Sequence, residues 1–154
     1  VERIRAILGP ACGISSDMIT GFCSETEAEH QDTLSLMDLV QYDYAYMFAY
    51  SERPGTLAAK KYPDDIPAEI KNRRLEEIIN KQREHSLLKH QQDVGTVQRV
   101  LIEGNSRRSE AHWQGRTTAN RVTVFPKENK KPGDYVHVLI ESCTSGTLIG
   151  KIVD

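Results

Sequence analysis

The sequence predicts an α/β segment followed by an all-β one, and three observations carry that prediction. Residues 14–20 read as a short strand, residues 44–50 are a near-continuous apolar run of strand length, and a helical pattern joins them, which is the signature of one parallel βαβ unit. After Gly95 the pattern breaks into five short runs, expected to form a small five-stranded OB-like antiparallel β-barrel. The charge divides at the same place. Residues 1–93 carry 11 Lys and Arg against 16 Asp and Glu, net −5, whereas residues 94–154 carry 9 against 6, net +3. The expected organisation is an α/β segment over 1–66, a connecting helix over 67–93 and the β-barrel over 94–154.

The elements follow in order. Ile4, Ile7 and Leu8 have helical spacing that Gly9-Pro10 ends, and a helix stopping so soon after residue 1 is expected to be the tail of a longer element. Residues 14–20 read as a strand. Ser24-Glu-Thr-Glu27 and Thr26-Glu-Ala-Glu29 are both capping-box patterns, and either starts a helix through about Val40. Tyr44, Tyr46, Phe48 and Tyr50 alternate in a run that suits a strand buried on both faces. Two strands do not make a stable covered parallel sheet, so the rest is expected from outside these residues or from a second copy pairing along the exposed edge. Pro67 suits the first turn of a helix reaching about Gln91. Its apolar set is Ile70, Leu75, Ile78, Ile79, Leu87 and Leu88, and its basic residues Lys71, Arg73, Arg74, Lys81, Arg83 and Lys89 are expected on a solvated face. The later strands are expected over 97–103, 111–116, 121–125, 135–142 and 147–153, with Gly104-Asn105, Lys131-Pro-Gly-Asp134 and Ser145-Gly146 as turns.

Composition narrows the function classes. Apolar residues make up 38% and charged residues 27%, as in a soluble domain. No apolar run approaches the roughly 18 residues of a membrane span, and no leader pattern is present, so no membrane partner and a cytoplasmic address are expected. Cys12, Cys23 and Cys143 form no Cys-x-x-Cys pair and are expected as free thiols. The five histidines have no metal spacing, and no metal ligand is assigned. The sequence also lacks a phosphate-binding glycine loop and a nucleophile elbow.

Two loops at strand ends are candidates for ligand contact. In the first, Gly21 permits positive φ and close backbone approach, Ile19 offers an apolar edge, Asp17 lies late on the strand, and Glu25 can accept hydrogen bonds from backbone N–H groups or a ligand. In the second, Ser51, Arg53 and Thr56 stand around Pro54-Gly55, and Arg53 can pair with a carboxylate or phosphate. Each loop also fits an ordinary turn. Both lie at carboxyl ends of neighbouring parallel strands, where barrel enzymes build their sites. In the C-terminal segment, Arg107, Arg108, Arg116, Asn120, Lys127, Lys130 and Lys131 occupy loops and turns that suit contact with an RNA backbone. Trp113 and Phe125 are core candidates first and stacking candidates second.

Read together, Asp17-x-Ile19-x-Gly21-Phe22-x-x-Glu25-Thr26, Phe48-x-Tyr50-Ser51-x-Arg53-Pro54-Gly55-Thr56-x-Ala58, Arg74-Leu75, Val100-Leu101-Ile102-Glu103 and Gly115-Arg116-Thr117 resemble the radical-SAM methylthiotransferases, most closely the MiaB type. The resemblance covers essentially the whole chain. It implies the C-terminal part of a radical-SAM partial TIM-like barrel followed by a TRAM domain. It implies S-adenosylmethionine and two 4Fe-4S clusters in the full-length enzyme. The cluster cysteines, spaced Cys-x-x-x-Cys-x-x-Cys, are absent here, so the fragment alone is expected to be inactive. By the same resemblance, Asp17, Ile19, Gly21 and Glu25 support the adenosyl portion of the cofactor. Tyr50, Ser51 and Arg53 face the substrate or methionyl side, and the basic loops grip a tRNA anticodon stem-loop rather than DNA. Cys23-Ser24 departs from the family's usual Pro-Gly. The implied reaction adds a methylthio group to C2 of isopentenyladenosine next to the anticodon. Relatives acting on threonylcarbamoyl-adenosine or a ribosomal protein aspartate remain alternatives, as does a non-catalytic RNA-binding module.

Overall fold

The computed structural model describes residues 1–9 and 12–153. In chain order the elements are α1 (Glu2–Leu8), β1 (Ser15–Thr20), α2 (Glu27–Val40), β2 (Tyr44–Ala49), α3 (Leu57–Lys61), α4 (Ala68–Asp93), β3 (Val97–Ser106), β4 (Ser109–Thr117), β5 (Val122–Pro126), β6 (Tyr135–Cys143) and β7 (Leu148–Ile152). Gly9 ends α1 at φ 84°, while the Pro10 half of the expected stop lies outside the described residues. The chain divides into two compact units: Ile14–Arg83, and Val1–Gly13 with Glu84–Asp154.

In the first unit β1 and β2 pair in parallel, from Ser15 opposite Tyr44 to Thr20 opposite Ala49. Of the two capping-box candidates, Thr26 is the one used. The Glu29 N–H donates to its Oγ1 at 3.3 Å, and the Thr26 N–H donates to Glu29 Oε2 at 2.7 Å. Met37, Val40, Tyr42 and Ile78 form the core, and Met18 and Met47 pack onto it from the sheet. Each fully buried apolar side chain of this kind contributes about 1.5–3 kcal/mol. Strand alternation then turns Asp17, Ile19, Tyr46 and Phe48 to the opposite face. The expectation that residues 44–50 are buried on both faces therefore fails: Ile19, Tyr46 and Phe48 are 59%, 61% and 54% exposed. The helices cover one face of the pair, and no described residue of this unit covers the other.

Helix α4 overturns a second expectation. Its buried stripe runs through Lys71, Arg74, Ile78, Gln82, His85, Ser86 and His90, whereas Leu87 and Leu88 are exposed. These polar positions recur at helical spacing along one face with Ile78, so Lys71 and Arg74 belong to the inward face and not to a solvated one. The short helix α3, capped by the Thr56 hydroxyl, has no counterpart in the sequence reading.

In the second unit the strands close into a barrel of order β3-β4-β5-β7-β6. Its strands are mixed and not all antiparallel as expected, because β5 and β7 pair in parallel through Thr123–Leu148 and Val124–Ile149. The reason is topological: strand direction cannot alternate all the way round a closed ring of five, so one neighbouring pair must run parallel. Gly104-Asn105 is also not a turn. Both residues lie within β3 at register shifts, and Arg107-Arg108 forms the turn. A Cβ on Gly115 would meet the Leu101 carbonyl oxygen at 2.3 Å, and one on Gly150 the Leu139 carbonyl oxygen at 2.1 Å. Only glycine allows strands to pass so closely. Val100, Ile102, Phe125, Val136, Val138, Ile140 and Leu148 fill the interior. The end of α4 is tied to this barrel. His90 Nδ1 donates to the Thr144 carbonyl at 2.7 Å, the Gly95 N–H donates to the Ile140 carbonyl at 2.8 Å, and Arg121 pairs with Asp93. Among the described residues, no helix is long and apolar enough to cross a membrane.

Candidate functional site

The two strand-end loops of the first unit are held from below by α4. Gly21 has φ 71°, and a Cβ there would lie 2.4 Å from Cγ of Lys71. The Gly21 N–H donates to Glu25 Oε2 at 2.6 Å. The Arg74 guanidinium donates to the same oxygen at 2.8 Å and to the Glu25 carbonyl at 3.0 Å, and it reaches Glu27 at 3.2 Å. The Arg74 side chain is 5% exposed and that of Glu25 13%, so this is a largely desolvated, charge-assisted clamp. Lys71 secures the second loop. Its ammonium donates to the Tyr50 carbonyl at 3.3 Å, pairs with Asp64, and lies 5.2 Å from the Tyr50 ring centroid. The Tyr50 N–H donates to the Thr20 carbonyl at 2.8 Å, which joins the two loops directly.

Of the predicted cofactor residues, Asp17 and Ile19 share the open face of the sheet, whereas Gly21 and Glu25 belong to the clamp. The hydrogen bonds of Glu25 fall on Oε2 and leave Oε1 for another donor. Tyr50 differs from its neighbours: its hydroxyl is buried, and the adjacent Cys23 thiol, with burial, raises its pKa. Ser51 and Arg53 are exposed, and the Arg53 carbonyl accepts from the Thr56 hydroxyl at 2.8 Å. Phe22 stands edge-on to Tyr50 with ring centroids 4.9 Å apart. At Cys23-Ser24, Ser24 takes φ 62° and donates its N–H and hydroxyl to Asp65 at 2.7 and 2.8 Å.

Sequence reasoning missed the clamp itself, Lys71 and Arg74, together with the network beside it. His30 is fully buried, and its Nε2 donates to Glu77 at 2.6 Å. Arg73 bridges Glu77 and Glu27 at 2.7 Å each. Arg73, aided by Gln31, holds the Glu27 carboxyl down at about 2, and His30 lowers that of Glu77. The backbone and hydroxyl of Thr26 lower Glu29, and Ser24 does the same for Asp65. Glu27, His30 and Glu77 bring ligand atoms within 4.8 Å of one another, but two arginines already engage these carboxylates and make the group an ion-pair network. The signal that could have exposed the clamp was periodicity, since residues 71, 74 and 78 share one helical face.

The barrel separates the predicted RNA residues into two groups. Arg107 and Arg108 occupy the β3–β4 turn, and the Lys127 N–H donates to the Ala111 carbonyl at 3.0 Å, so these residues gather at one end of β4. Arg116 and Asn120 lie toward the other end. Arg116 pairs with Glu103 at 3.3 Å and donates to Asn120 Oδ1 at 3.2 Å. Lys130 and Lys131 lie in the β5–β6 connection, where the Lys131 N–H donates to Asp134 at 3.0 Å. Lys127 sits over Trp113, 4.2 Å from the ring centroid. Phe125 is fully buried, and Trp113 is partly buried against the core.

Comparison with known proteins places these features. Residues 91–153 match the TRAM domain family. The chain is 60% identical over 152 residues to the tRNA-2-methylthio-N(6)-dimethylallyladenosine synthase of Amoebophilus asiaticus, covering 99% of this chain and 31% of that protein. It is 55% identical over 151 residues to the synthase of the same name from Christiangramia forsetii, with 98% and 31% covered. It is 50% identical over 153 residues to that of Flavobacterium johnsoniae, with 99% and 32% covered. The chain thus spans about a third of the length of the curated relatives it matches. Residues 91–153 thus match the TRAM domain family, and nearly the whole chain is similar to about a third of the length of these synthases.

Proposed function

We propose that the chain is the C-terminal part of a tRNA methylthiotransferase that adds a methylthio group to C2 of isopentenyladenosine next to the anticodon. The observation that carries this reading is 50–60% identity, over nearly the whole chain, to synthases named for that product. In this reading residues 1–66 are the C-terminal portion of a radical-SAM barrel, 67–93 the connecting helix and 94–154 the RNA-binding domain of a cytoplasmic enzyme. The open face of β1 and β2 is then the inner wall of the larger barrel. That explains why Ile19, Tyr46 and Phe48 are apolar yet exposed.

The residues present fit one cofactor and not the other. Asp17 and Ile19 on the open face, the Gly21 turn and the free Oε1 of Glu25 form a wall suited to the adenosyl portion of S-adenosylmethionine. When bound, that cofactor supplies the methyl group and, with a reduced cluster, the radical initiator. The chain's own work is mechanical. Arg74 and Lys71 hold both loops in place, so the wall needs little reorganisation when a ligand arrives, and the apolar face excludes water. A 4Fe-4S cluster does not fit. The Cys23 thiol is buried against the Tyr62 carbonyl and lies in a different unit from Cys12 and Cys143. Cluster ligation belongs to other residues of the enzyme, and the fragment alone is inactive in this proposal.

Two experiments test the reading. The purified chain should bind an anticodon stem-loop with affinity that falls steeply with salt, and no binding at low salt would remove the RNA role. For the whole enzyme, mass spectrometry of tRNA from a strain lacking the gene should show isopentenyladenosine without its methylthio group. Unchanged methylthio-isopentenyladenosine would refute the assignment, and loss confined to threonylcarbamoyl-adenosine would move it to that substrate.

A further inference from the structure

We infer that Tyr135 and Arg99 form a base-stacking platform for single-stranded RNA on the outer wall of the barrel, beside the cationic β5–β6 connection; the inference rests on the RNA-binding reading above. On β3 and β6, Leu101 lies opposite Tyr135 and Arg99 opposite His137. Their neighbours Val100, Ile102, Val136 and Val138 are in the core, so strand alternation directs Arg99, Leu101, Tyr135 and His137 outward. Leu101 also lies opposite Arg116 on β4, which sets Arg116, Leu101 and Tyr135 in one row across three strands.

Two features mark Tyr135 as a ligand-facing aromatic. It is 57% exposed in a barrel that buries Phe125 completely. The guanidinium carbon of Arg99 also lies 4.1 Å from its ring centroid. That contact fixes the ring's orientation without neutralising the arginine, which has no carboxylate partner among the described residues. Lys127 over Trp113 has nearly the same geometry, but that ring is partly buried against the core. At the Arg99–Tyr135 pair, an unstacked base can lie on the ring or guanidinium plane while a neighbouring phosphate takes the cation. A segment of net charge +3 favours a polyanion as the occupant. A duplex keeps its bases stacked and offers this surface only phosphates, so the platform selects loops over helices.

The test compares binding of an RNA hairpin with a single-stranded loop against a blunt duplex, using the full chain and the variants Tyr135→Ala, Tyr135→Phe and Arg99→Gln. Tyr135→Ala should weaken hairpin binding about tenfold and duplex binding little, with an unchanged salt slope, and Tyr135→Phe should bind as the unaltered chain does. Arg99→Gln should weaken hairpin binding and reduce the salt slope by about 0.7. Equal hairpin binding by the unaltered chain and Tyr135→Ala overturns the platform alone. Absence of hairpin binding by the unaltered chain overturns the RNA-binding reading and the platform with it.

Discussion

The two units solve the problem of a β-sheet in opposite ways. The barrel closes on itself, so every strand has two partners and its apolar side chains meet inside one ring. The pair β1–β2 does neither. Each strand has one partner, and one face carries exposed Ile19, Tyr46 and Phe48. The difference shows where each unit draws its stability. The barrel depends on close backbone packing, whereas the α/β unit depends on α4, whose arginine and lysine hold loops that a complete sheet would otherwise help to fix. Electrostatics follow the same division: Glu27, Glu29, Asp65 and Glu77, carboxylates with lowered pKa, lie in the α/β unit.

Four perturbations probe this contrast, in order of expected effect. Gly115→Val should be the most damaging, because the new side chain meets the Leu101 backbone and the barrel must open. A cost of about 3 kcal/mol or more is expected. Trp113 is the chain's one tryptophan, so its fluorescence during thermal unfolding reads the barrel directly. Survival of the wild-type transition would contradict the close-packing account. Arg74→Met should cost about 3 kcal/mol in the α/β unit, since it leaves the Glu25 carboxylate desolvated and short of a partner. Hydrogen exchange of residues 20–30 should rise while the Trp113 transition stays in place. Acid comes third. A carboxylate whose folded pKa lies below its unfolded value contributes stability that is complete above the unfolded value and is lost as pH falls through the folded one. Between about pH 5 and 2 the α/β unit should therefore loosen before the barrel, followed by circular dichroism against Trp113 fluorescence, and Glu27→Gln should flatten that dependence. Lys127→Met should have the smallest effect, about 0.5 kcal/mol off the barrel transition, because its ammonium remains partly in water above Trp113.

Much of the fold was legible because it is written in period and punctuation. Thr26 and Glu29 marked the start of α2, the alternating aromatics gave β2, and the basic barrel announced itself after Gly95. What escaped was set by tertiary context. The alternation in residues 44–50 shows that both faces are apolar, but only the packing shows that one stands open. The hydropathy of α4 favoured Leu87 and Leu88, whereas burial follows Lys71, Arg74 and His90, whose polar groups reach distant loops. At the site, Gly21 and Glu25 were readable as a turn and an acceptor, but the sequence did not show that the acceptor is held by Arg74, nearly fifty residues away. The Arg99–Tyr135 contact depends on strand register, and no local pattern encodes it.

The most direct test of the whole account is hydrogen exchange of the full chain with and without an anticodon stem-loop RNA. The account predicts slow exchange throughout the barrel strands and fast exchange in β1 and β2 in the free chain. On adding RNA, new protection should appear at Tyr135, Arg99 and the loops of residues 107–108 and 127–131, and none along β1 and β2. Slow exchange of β1 and β2 in the free chain, or RNA protection that spares the barrel, would contradict it.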